Sequence, residues 1–284
     1  IIATAQATNA GVYTLSVTSA TGCKSSTTTN VVINALPAIV TNSLVACVNT
    51  SFVLTSSGGI GYAWTGPLGF TSAVQNPTVT NATTNMSGLY SVTVTSAAGC
   101  TNTAVASVTV VTLPVAVLSS NSPVCLGGAL TFTASGGTIN LTGPNGFFSA
   151  ATNPTITNVT ALANGVYTLL VSAGSCTSST TSSVTINPLP VPLAGSNSPV
   201  CIGQPITFTG NGGAGYAWTG PGAYSSSAQN PTIAIASATN AGNYVLTVTD
   251  ANSCTNTIST NVVINPLPVI APLNNPTVCL NTNI

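Results

Sequence analysis

The sequence has 284 residues, of which 44% are hydrophobic, yet Lys24 and Asp250 are its only charged side chains and it contains no histidine. This composition excludes a nucleic-acid-binding patch, because one lysine cannot neutralise a row of phosphates, and it supplies no base to activate a nucleophile. The apolar residues alternate with Thr, Ser and Asn and never form the roughly 20 continuous apolar residues of a membrane-spanning helix. We therefore expect a non-enzymatic chain with no cofactor, no nucleic-acid partner and no membrane insertion.

Four copies of one pattern divide the chain. Each copy begins with Gly-x-Tyr, alternates apolar and polar residues, and ends in a cysteine; the tyrosines are Tyr13, Tyr90, Tyr167 and Tyr244. A Leu-Pro pair follows each copy, at Pro37, Pro114, Pro190 and Pro268, so the period is 77, 76 and 78 residues. A period this regular predicts a tandem array of like domains. We predict the C-terminal part of a repeat at 1–36, complete repeats at 37–113, 114–189 and 190–267 (repeats 1, 2 and 3), and the N-terminal part of another repeat at 268–284.

The first predicted elements are the strands of a β-hairpin, at 13–18 and 27–33. In repeat 1, runs rich in β-branched and aromatic residues predict strands at 52–55, 62–65 and 76–80, followed by a second hairpin that starts near Tyr90. The Gly-rich and Pro-rich segments 56–59 and 66–69 separate these strands because they favour turns. Repeats 2 and 3 follow the same plan. About seven short strands in each repeat predict an all-β sandwich fold.

The joints between repeats are short and rich in proline. Between the last strand of repeat 3 and the next predicted strand lies only Asn-Pro-Leu-Pro, at 265–268. Proline-rich connections are stiff and extended. We therefore expect neighbouring repeats to be held end to end with little bending.

Four short motifs recur in the repeats. They are Val-Cys-Leu-Gly at 124–127, Tyr-Ala-Trp-Thr-Gly-Pro at 216–221, Asn-Pro-Thr-Ile at 230–233 and Gly-Asn-Tyr at 242–244. Together they resemble the bacterial Ig-like repeat modules of giant surface adhesins and gliding-associated proteins secreted by the type IX system. The resemblance covers nearly the whole chain and implies a tandem array of Ig-like β-sandwich domains arranged end to end. Many such modules carry more acidic residues in their hairpins; because hard cations need clustered carboxylates, we expect no metal site here.

The aromatic residues of the motifs are predicted to lie in the core. Tyr13, Tyr90, Tyr167 and Tyr244 are expected to form tyrosine corners, in which the ring is buried and the hydroxyl binds nearby backbone. Trp64 and Trp218 lie in the middle of predicted strands and are expected to be core residues, with Leu141 at this position in repeat 2. The alternatives are a sugar-binding role for the tyrosines and ligand-presenting loops at the Gly-Pro and Asn-Gly turns.

Eight cysteines occupy two fixed places in the repeat. The opening cysteines, near the start of a repeat, are Cys47, Cys125, Cys201 and Cys279; the hairpin cysteines, after each Gly-x-Tyr strand, are Cys23, Cys100, Cys176 and Cys254. Paired cysteines indicate an oxidising compartment and thus an extracellular or cell-surface location. A structural metal is the weaker alternative, because the sequence has no CxxC motif and no histidine.

Two disulfide pairings are open. The pairing within repeats joins Cys47–Cys100, Cys125–Cys176 and Cys201–Cys254. In an Ig-like sandwich, however, the opening cysteine lies at the same end as the tyrosine, and the hairpin cysteine lies about ten residues further up the strand, roughly 33 Å away. A disulfide tolerates a Cα separation of at most about 7 Å. We therefore favour bonds between neighbouring repeats, Cys47–Cys176 and Cys125–Cys254.

These observations predict a structural segment of an extracellular fibre or cell-surface adhesin, a disulfide-stapled rod that provides reach. A net charge near zero removes repulsion between copies, so self-association into filaments or bundles is expected. Two alternatives are a ligand-binding module that recognises a glycan or a protein, and a spacer within a larger secreted enzyme.

Overall fold

The computed structural model describes residues 1–272, and these contain β-strands, 3-10 helices and turns but no α-helix. Cys279 and most of the predicted segment 268–284 lie outside the described residues. The prediction of an all-β tandem array of Ig-like sandwiches is confirmed.

The N-terminal segment is a hairpin that follows one short helix. Its elements are η1 (Ala7–Asn9), β1 (Gly11–Thr18) and β2 (Lys24–Val31). The two strands pair antiparallel over their full length but belong to a two-stranded sheet with no further layer. Tyr13 is therefore 43% exposed, because the part of a repeat at 1–36 contributes one two-stranded sheet and no opposing layer; its position in a core stays a prediction.

Repeat 1 is a two-layered sandwich. Its elements are β3 (Leu44–Cys47), β4 (Phe52–Val53), β5 (Gly61–Thr65), η2 (Pro67–Gly69), β6 (Thr71–Ser72), β7 (Thr78–Val79), η3 (Thr84–Met86), β8 (Gly88–Thr95) and β9 (Thr101–Val111). One layer has the strand order β3-β9-β8-β5-β6, in which β3 runs parallel to β9, and the other layer contains β4 and β7. Alternate side chains of β8 face the second layer, which is why Tyr90, Val92 and Val94 are buried.

Repeat 2 has a similar plan, with three strands in one sheet, four in the other and a separate parallel pair. Its elements are β10 (Val117–Ser120), β11 (Val124–Cys125), β12 (Leu130–Ser135), β13 (Thr138–Thr142), η4 (Pro144–Gly146), β14 (Phe148–Ser149), β15 (Thr155–Ile156), η5 (Ala161–Ala163), β16 (Gly165–Ala173), β17 (Cys176–Val184) and β18 (Ile186–Asn187). A three-stranded sheet, β10-β12-β15, packs against a four-stranded sheet, β14-β13-β16-β17, and β11 and β18 form the parallel pair.

Repeat 3 has the same topology as repeat 2. Its elements are β19 (Leu193–Ser196), β20 (Val200–Cys201), β21 (Ile206–Asn211), β22 (Gly215–Gly220), η6 (Pro221–Ala223), β23 (Tyr224–Ser226), β24 (Thr232–Ile233), η7 (Ala238–Asn240), β25 (Gly242–Thr249), β26 (Thr255–Val262) and β27 (Ile264–Asn265). The sheets have the strand orders β19-β21-β24 and β23-β22-β25-β26.

The pairing between two strands of repeat 1 is shorter than the sequence predicts. The strands predicted at 52–55 and 76–80 pair only at Phe52–Val53 and Thr78–Val79. Beyond them the partner strand contains Pro77, which cannot donate to a ladder and only accepts from the Leu54 N–H at 3.0 Å. The Asn76 side chain takes the place of a main-chain acceptor, because its Oδ1 accepts from the Ser56 N–H at 3.0 Å.

Each complete repeat has its own hydrophobic core, and a side-chain amide fixes the start of two repeats. Asn102 Nδ2 donates to the Pro37 carbonyl at 2.9 Å, and Asn256 Nδ2 donates to the Pro190 carbonyl at 3.0 Å. Both asparagines lie near the start of the last long strand, two residues after the hairpin cysteine. These bonds hold the proline joint against the body of the repeat that it leads into.

Candidate functional site: the cysteine joints between repeats

The opening cysteines lie in a turn that has the same hydrogen bonds in all three complete repeats. Each cysteine ends a short strand that runs parallel to the last strand of its repeat. The N–H of the following residue then donates to that last strand, from Val48 to Val111, from Leu126 to Asn187 and from Ile202 to Asn265, at 2.8–3.0 Å. The opening cysteine is therefore fixed at the end of the repeat that leads into the next joint.

A residue in the left-handed conformation reverses the chain two positions after each opening cysteine. This residue is Asn49, Gly127 or Gly203, with φ of 64°, 80° and 88°. Glycine and asparagine tolerate this conformation best, which explains the Cys-x-Gly motif. The N–H of each residue donates at 2.8 Å, to Ala82, Val159 and Ala236 respectively.

The hairpin cysteines lie at the opposite end of the repeat, after the turn that follows the tyrosine strand. In repeat 3, the Asp250 carboxylate Oδ1 accepts from the N–H groups of Asn252 and Cys254 at 2.8 and 2.9 Å. Ser96 takes this place in repeat 1 and Ser19 in the N-terminal hairpin, where each hydroxyl accepts from the cysteine N–H at 3.2 Å. The single carboxylate of the described side chains is thus a turn cap.

Two disulfides cross the joints. Cys47 of repeat 1 is bonded to Cys176 of repeat 2, and Cys125 of repeat 2 is bonded to Cys254 of repeat 3. Both bonds have a Cα–Cα distance of 5.6 Å and a sequence separation of 129 residues. The hairpin cysteines of both bonds are fully buried. The arrangement corresponds to the pairing between repeats; its occurrence in the purified protein stays a prediction.

Three cysteines of the described chain are unbonded. Cys23 and Cys201 are exposed and Cys100 is half-buried. The within-repeat pairs Cys47–Cys100, Cys125–Cys176 and Cys201–Cys254 are not formed, because the two cysteines of one repeat lie at opposite ends of the sandwich. Each unbonded cysteine occupies a position at which another repeat has a disulfide.

The tyrosine after each Gly-x pair bonds backbone four residues upstream. Tyr90, Tyr167 and Tyr244 are at most 1% exposed, and their hydroxyls donate to the carbonyls of Met86, Ala163 and Asn240 at 3.0–3.1 Å. Tyr13 makes the equivalent bond to Asn9 at 3.0 Å although its ring is exposed. Burial raises the pKa of Tyr90, Tyr167 and Tyr244 above the ordinary tyrosine value of 10.0.

The packing of this tyrosine ring requires the glycine of the Thr-Gly-Pro motif. A Cβ atom added to Gly220 would lie 2.3 Å from Cδ1 of the Tyr244 ring, and Gly66 and Gly143 are placed in the same way against Tyr90 and Tyr167. Only glycine fits beneath the ring. The motif that suggested a ligand-presenting turn therefore has a packing role in all three complete repeats.

Trp64 and Trp218 are each 1% exposed and lie between the two sheets. Each indole Nε1 donates to the main-chain carbonyl of a glutamine eleven residues later, Gln75 or Gln229, at 3.2 Å. The sequence prediction did not include these glutamines. A signal was present, because Gln occurs in the two repeats that contain Trp and is replaced by Thr152 in repeat 2, where Leu141 replaces Trp.

Concave surfaces near the tyrosine corners are shallow and contain no pair of groups for acid–base chemistry. The groove between η4 and η5 has a volume of 220 Å³ and includes Asn145, Phe147 and Leu162; its counterpart in repeat 1 has a volume of 190 Å³. No group of three or more His, Cys, Asp or Glu side chains comes together within residues 1–272. Over the same range, no helix has both the length and the hydrophobicity needed to cross a bilayer.

No protein-family model matches the sequence, and no curated protein matches it. Among solved structures, the chain is similar to the N-terminal eight Ig domains of Down Syndrome Cell Adhesion Molecule, with 15% identity, a TM-score of 0.48, and coverage of 92% of this chain and 40% of that chain. It is also similar to an I-band fragment of titin, with 12% identity, a TM-score of 0.46, and coverage of 81% and 98%. A third similar structure is Sidekick-1 immunoglobulin domains 1–5, with 12% identity, a TM-score of 0.37, and coverage of 93% and 68%. The likeness concerns the Ig fold in tandem arrays, and the chain spans less than half of the first of these structures.

Proposed function

We propose that this chain is a non-catalytic structural segment of a bacterial extracellular fibre or cell-surface adhesin, exported by the type IX system. It acts as a disulfide-stapled rod that holds another part of the assembly away from the cell. The predicted boundaries at 37–113, 114–189 and 190–267 define the three complete units of this rod.

The observation that carries the proposal is the pair of equivalent bonds across two successive joints. A proline joint alone restricts bending. A second covalent connection, such as Cys47–Cys176 across the joint between repeats 1 and 2, removes most of the remaining freedom of one repeat relative to the next. Since the bond between repeats 2 and 3 has the same span and the same geometry, the restraint is a property of the repeat.

Composition supports an extracellular structural role over a chemical one. Disulfides persist in oxidising compartments, and a chain with one acidic side chain and no histidine offers no general base or metal-binding cluster. Self-association into filaments or bundles is part of the proposal because the net charge is zero, which leaves copies without mutual repulsion.

Small-angle X-ray scattering of the oxidised and reduced protein tests the rod. The oxidised chain is expected to give one extended particle whose maximum dimension does not vary between preparations, and the double variant Cys47→Ser/Cys125→Ser is expected to sample shorter, bent shapes. The matched control is Cys100→Ser, which removes an unbonded cysteine and leaves both joints intact. Equal flexibility of the oxidised protein and the double variant would refute the stapled rod.

Non-reducing peptide mapping tests the pairing itself. Linked peptides that contain Cys47 with Cys176 and Cys125 with Cys254 are expected after free thiols have been blocked. Recovery of Cys47 with Cys100 instead would restore the pairing within repeats.

A further inference from the structure

An exposed Asn-Gly pair in repeat 2 forms a tight reversal of the chain. Asn145 and Gly146 have φ values of 53° and 72°, and the Phe147 N–H donates to the Pro144 carbonyl at 3.1 Å. These are the features of a type I′ turn, which needs positive φ at both central residues and therefore favours Asn-Gly. The turn explains the backbone of this pair, but it assigns no role to the Asn145 side chain.

The side-chain amide of Asn145 and the main-chain nitrogen of Gly146 are unobstructed. Both residues are exposed, and within residues 1–272 neither the Asn145 side chain nor the Gly146 N–H makes a hydrogen bond. A Cβ atom added to Gly146 would meet nothing within 4 Å. The Gly146 nitrogen can therefore approach the side-chain carbon of Asn145 without displacing another residue.

The sequence has two other Asn-Gly pairs, and the first of them is held by packing. The Asn164 Oδ1 atom accepts from the Ile186 N–H at 2.6 Å, which fixes the side chain. A Cβ atom added to Gly165 would lie 2.8 Å from Cγ of Pro144, so this glycine packs against a proline ring. A reaction between Asn164 and Gly165 would require both contacts to open.

The other pair, Asn211 and Gly212, is held by a strand. Asn211 is the last residue of β21 and pairs with Leu193 of β19. A Cβ atom added to Gly212 would lie 2.1 Å from the Val191 carbonyl oxygen. Movement of this pair therefore requires the first strand of repeat 3 to unpair. Of the three pairs, only the one in the type I′ turn is free of such restraints.

We propose that Asn145 is a modification site at which the folded protein spontaneously converts a side-chain amide into a carboxylate, with water as the co-reactant. Asparagine is among the thermolabile residues, and a following glycine leaves the attacking nitrogen unhindered because it has no Cβ atom. The proposal does not depend on the rod proposed above, because it concerns the chemistry of one turn within one repeat.

The reaction has two steps and involves no oxidation or reduction. The Gly146 nitrogen loses its proton to buffer and attacks Cγ of Asn145; the new N–Cγ bond closes a succinimide ring, and the Cγ–Nδ2 bond breaks with release of ammonia. Water then opens the ring at one of its two carbonyl carbons. Cleavage of the N–Cγ bond gives aspartate, and cleavage of the bond between the nitrogen and the main-chain carbonyl carbon gives isoaspartate.

The turn must open locally before the ring can close. The ψ angle of Asn145, which is 33° in the folded turn, has to rotate, and this breaks the hydrogen bond from Phe147 to Pro144. An exposed turn opens at a lower free-energy cost than a paired strand of the core. The product has a second carboxylate beside that of Asp250, so the net charge changes from 0 to −1 (one positive and two negative side chains).

The test uses the full folded chain with its disulfides formed, incubated at mildly alkaline pH in water labelled with heavy oxygen. Samples are digested with pepsin in acid, which stops the reaction, and the peptides are analysed by mass spectrometry. The Asn145 peptide is expected to gain one labelled oxygen and to separate into aspartate and isoaspartate forms. It should react about tenfold faster than the Asn164 and Asn211 peptides, because fewer hydrogen bonds must break first.

The reduced, alkylated and unfolded chain is the reference. In this state the three sites are expected to react at similar rates, since each is an asparagine followed by glycine and none is restrained. Equal rates at the three sites of the folded protein, or a faster reaction at Asn164 or Asn211, would overturn the proposal. An Asn145 peptide that keeps its amide in the folded protein while reacting in the unfolded chain would overturn it as well.

Repeat 3 supplies two matched variants, because Gly222 and Ala223 occupy this turn there with φ values of 68° and 58°. Asn145→Gly removes the reacting amide, and it is expected to abolish the acidic form that isoelectric focusing detects in the aged protein. Gly146→Ala keeps the amide but places a Cβ atom beside the attacking nitrogen, so it should slow the conversion severalfold. An acidic form that accumulates in the Asn145→Gly protein at the original rate would assign the new charge to another residue and refute the proposal.

Discussion

Trp218 and Gln229 stabilise each other in the core of repeat 3. The indole Nε1 donates to the main-chain carbonyl of Gln229 at 3.2 Å, and the Gln229 side-chain amide holds this acceptor in place by donating to the main-chain carbonyl of Gly210 at 2.8 Å. Trp64 and Gln75 make the same two bonds in repeat 1, the second to Ser56. The glutamine thus connects the buried indole to the opposite sheet.

This relationship predicts that Trp218 and Gln229 are coupled. Trp218→Leu leaves a cavity and should cost about 2 kcal/mol of repeat 3 stability. The double variant Trp218→Leu/Gln229→Thr copies the natural pair Leu141 and Thr152 of repeat 2. It is expected to lose less than the two single variants combined, by about 1 kcal/mol. Hydrogen exchange resolved by mass spectrometry gives the stability of repeat 3 for each variant, and strictly additive losses would contradict the coupling.

Ser56 predicts a stabilising substitution. It is 4% exposed, and its Oγ atom has no hydrogen-bond partner, whereas its backbone groups are bonded to Asn76 and Gln75. Ser56→Ala removes the unpaired hydroxyl and should raise the free energy of unfolding of repeat 1 by about 1 kcal/mol. Ala134 occupies this position in repeat 2, so Ala134→Ser is the reverse control and should destabilise that repeat. A loss of stability in the Ser56→Ala protein would show that the hydroxyl has a partner.

Asp250 is expected to be replaceable by serine and not by alanine. Asp250→Ala removes the acceptor of two backbone N–H groups in the turn before Cys254 and should cost about 1 kcal/mol. Asp250→Ser restores the turn used at Ser19 and Ser96 and should cost less than half as much. Urea unfolding of both variants in the oxidised state measures the difference. Equal losses would indicate that the carboxylate charge, and not its hydrogen bonds, matters.

The buried tyrosines predict that the free energy of unfolding decreases at alkaline pH and changes little at acid pH. Their pKa values in the folded state lie above 10.0 because burial disfavours the phenolate, so the folded state holds protons that the unfolded chain releases. Their contribution to stability is therefore complete below pH 10.0 and is lost as pH rises through the folded-state pKa. With one Asp or Glu and no His, we expect a nearly constant urea midpoint on the acid side.

Urea titrations across the pH range, with the free thiols alkylated to prevent disulfide exchange, measure this dependence. Replacing Tyr90, Tyr167 and Tyr244 by phenylalanine should reduce the fall of the urea midpoint at alkaline pH. Each lost hydroxyl hydrogen bond should cost about 1 kcal/mol at neutral pH. A steep alkaline loss that persists in the triple variant would assign it to another group.

The sequence determines the fold through features that act locally. Alternation around Tyr90 places Val92 and Val94 in one core, and the left-handed Gly127 and the glycine under each tyrosine ring explain why the motifs recur. Relations between distant strands were not predictable in this way. The bond from Trp64 to Gln75 and the unpaired hydroxyl of Ser56 depend on which sheet faces which, and a single strand pattern does not contain that information.

The overlap of the two disulfide loops has a consequence for how the chain responds when its ends are pulled apart. The backbone from Cys47 to Cys254 has 207 peptide links (254 minus 47). One bond alone shortens the covalent route to 78 links (254 minus 176, or 125 minus 47), and the two bonds together shorten it to 51 (176 minus 125). Tension can therefore unravel a repeat only until this shorter route is taut. The cross-links limit how far the array lengthens under load, even when the sandwiches themselves give way.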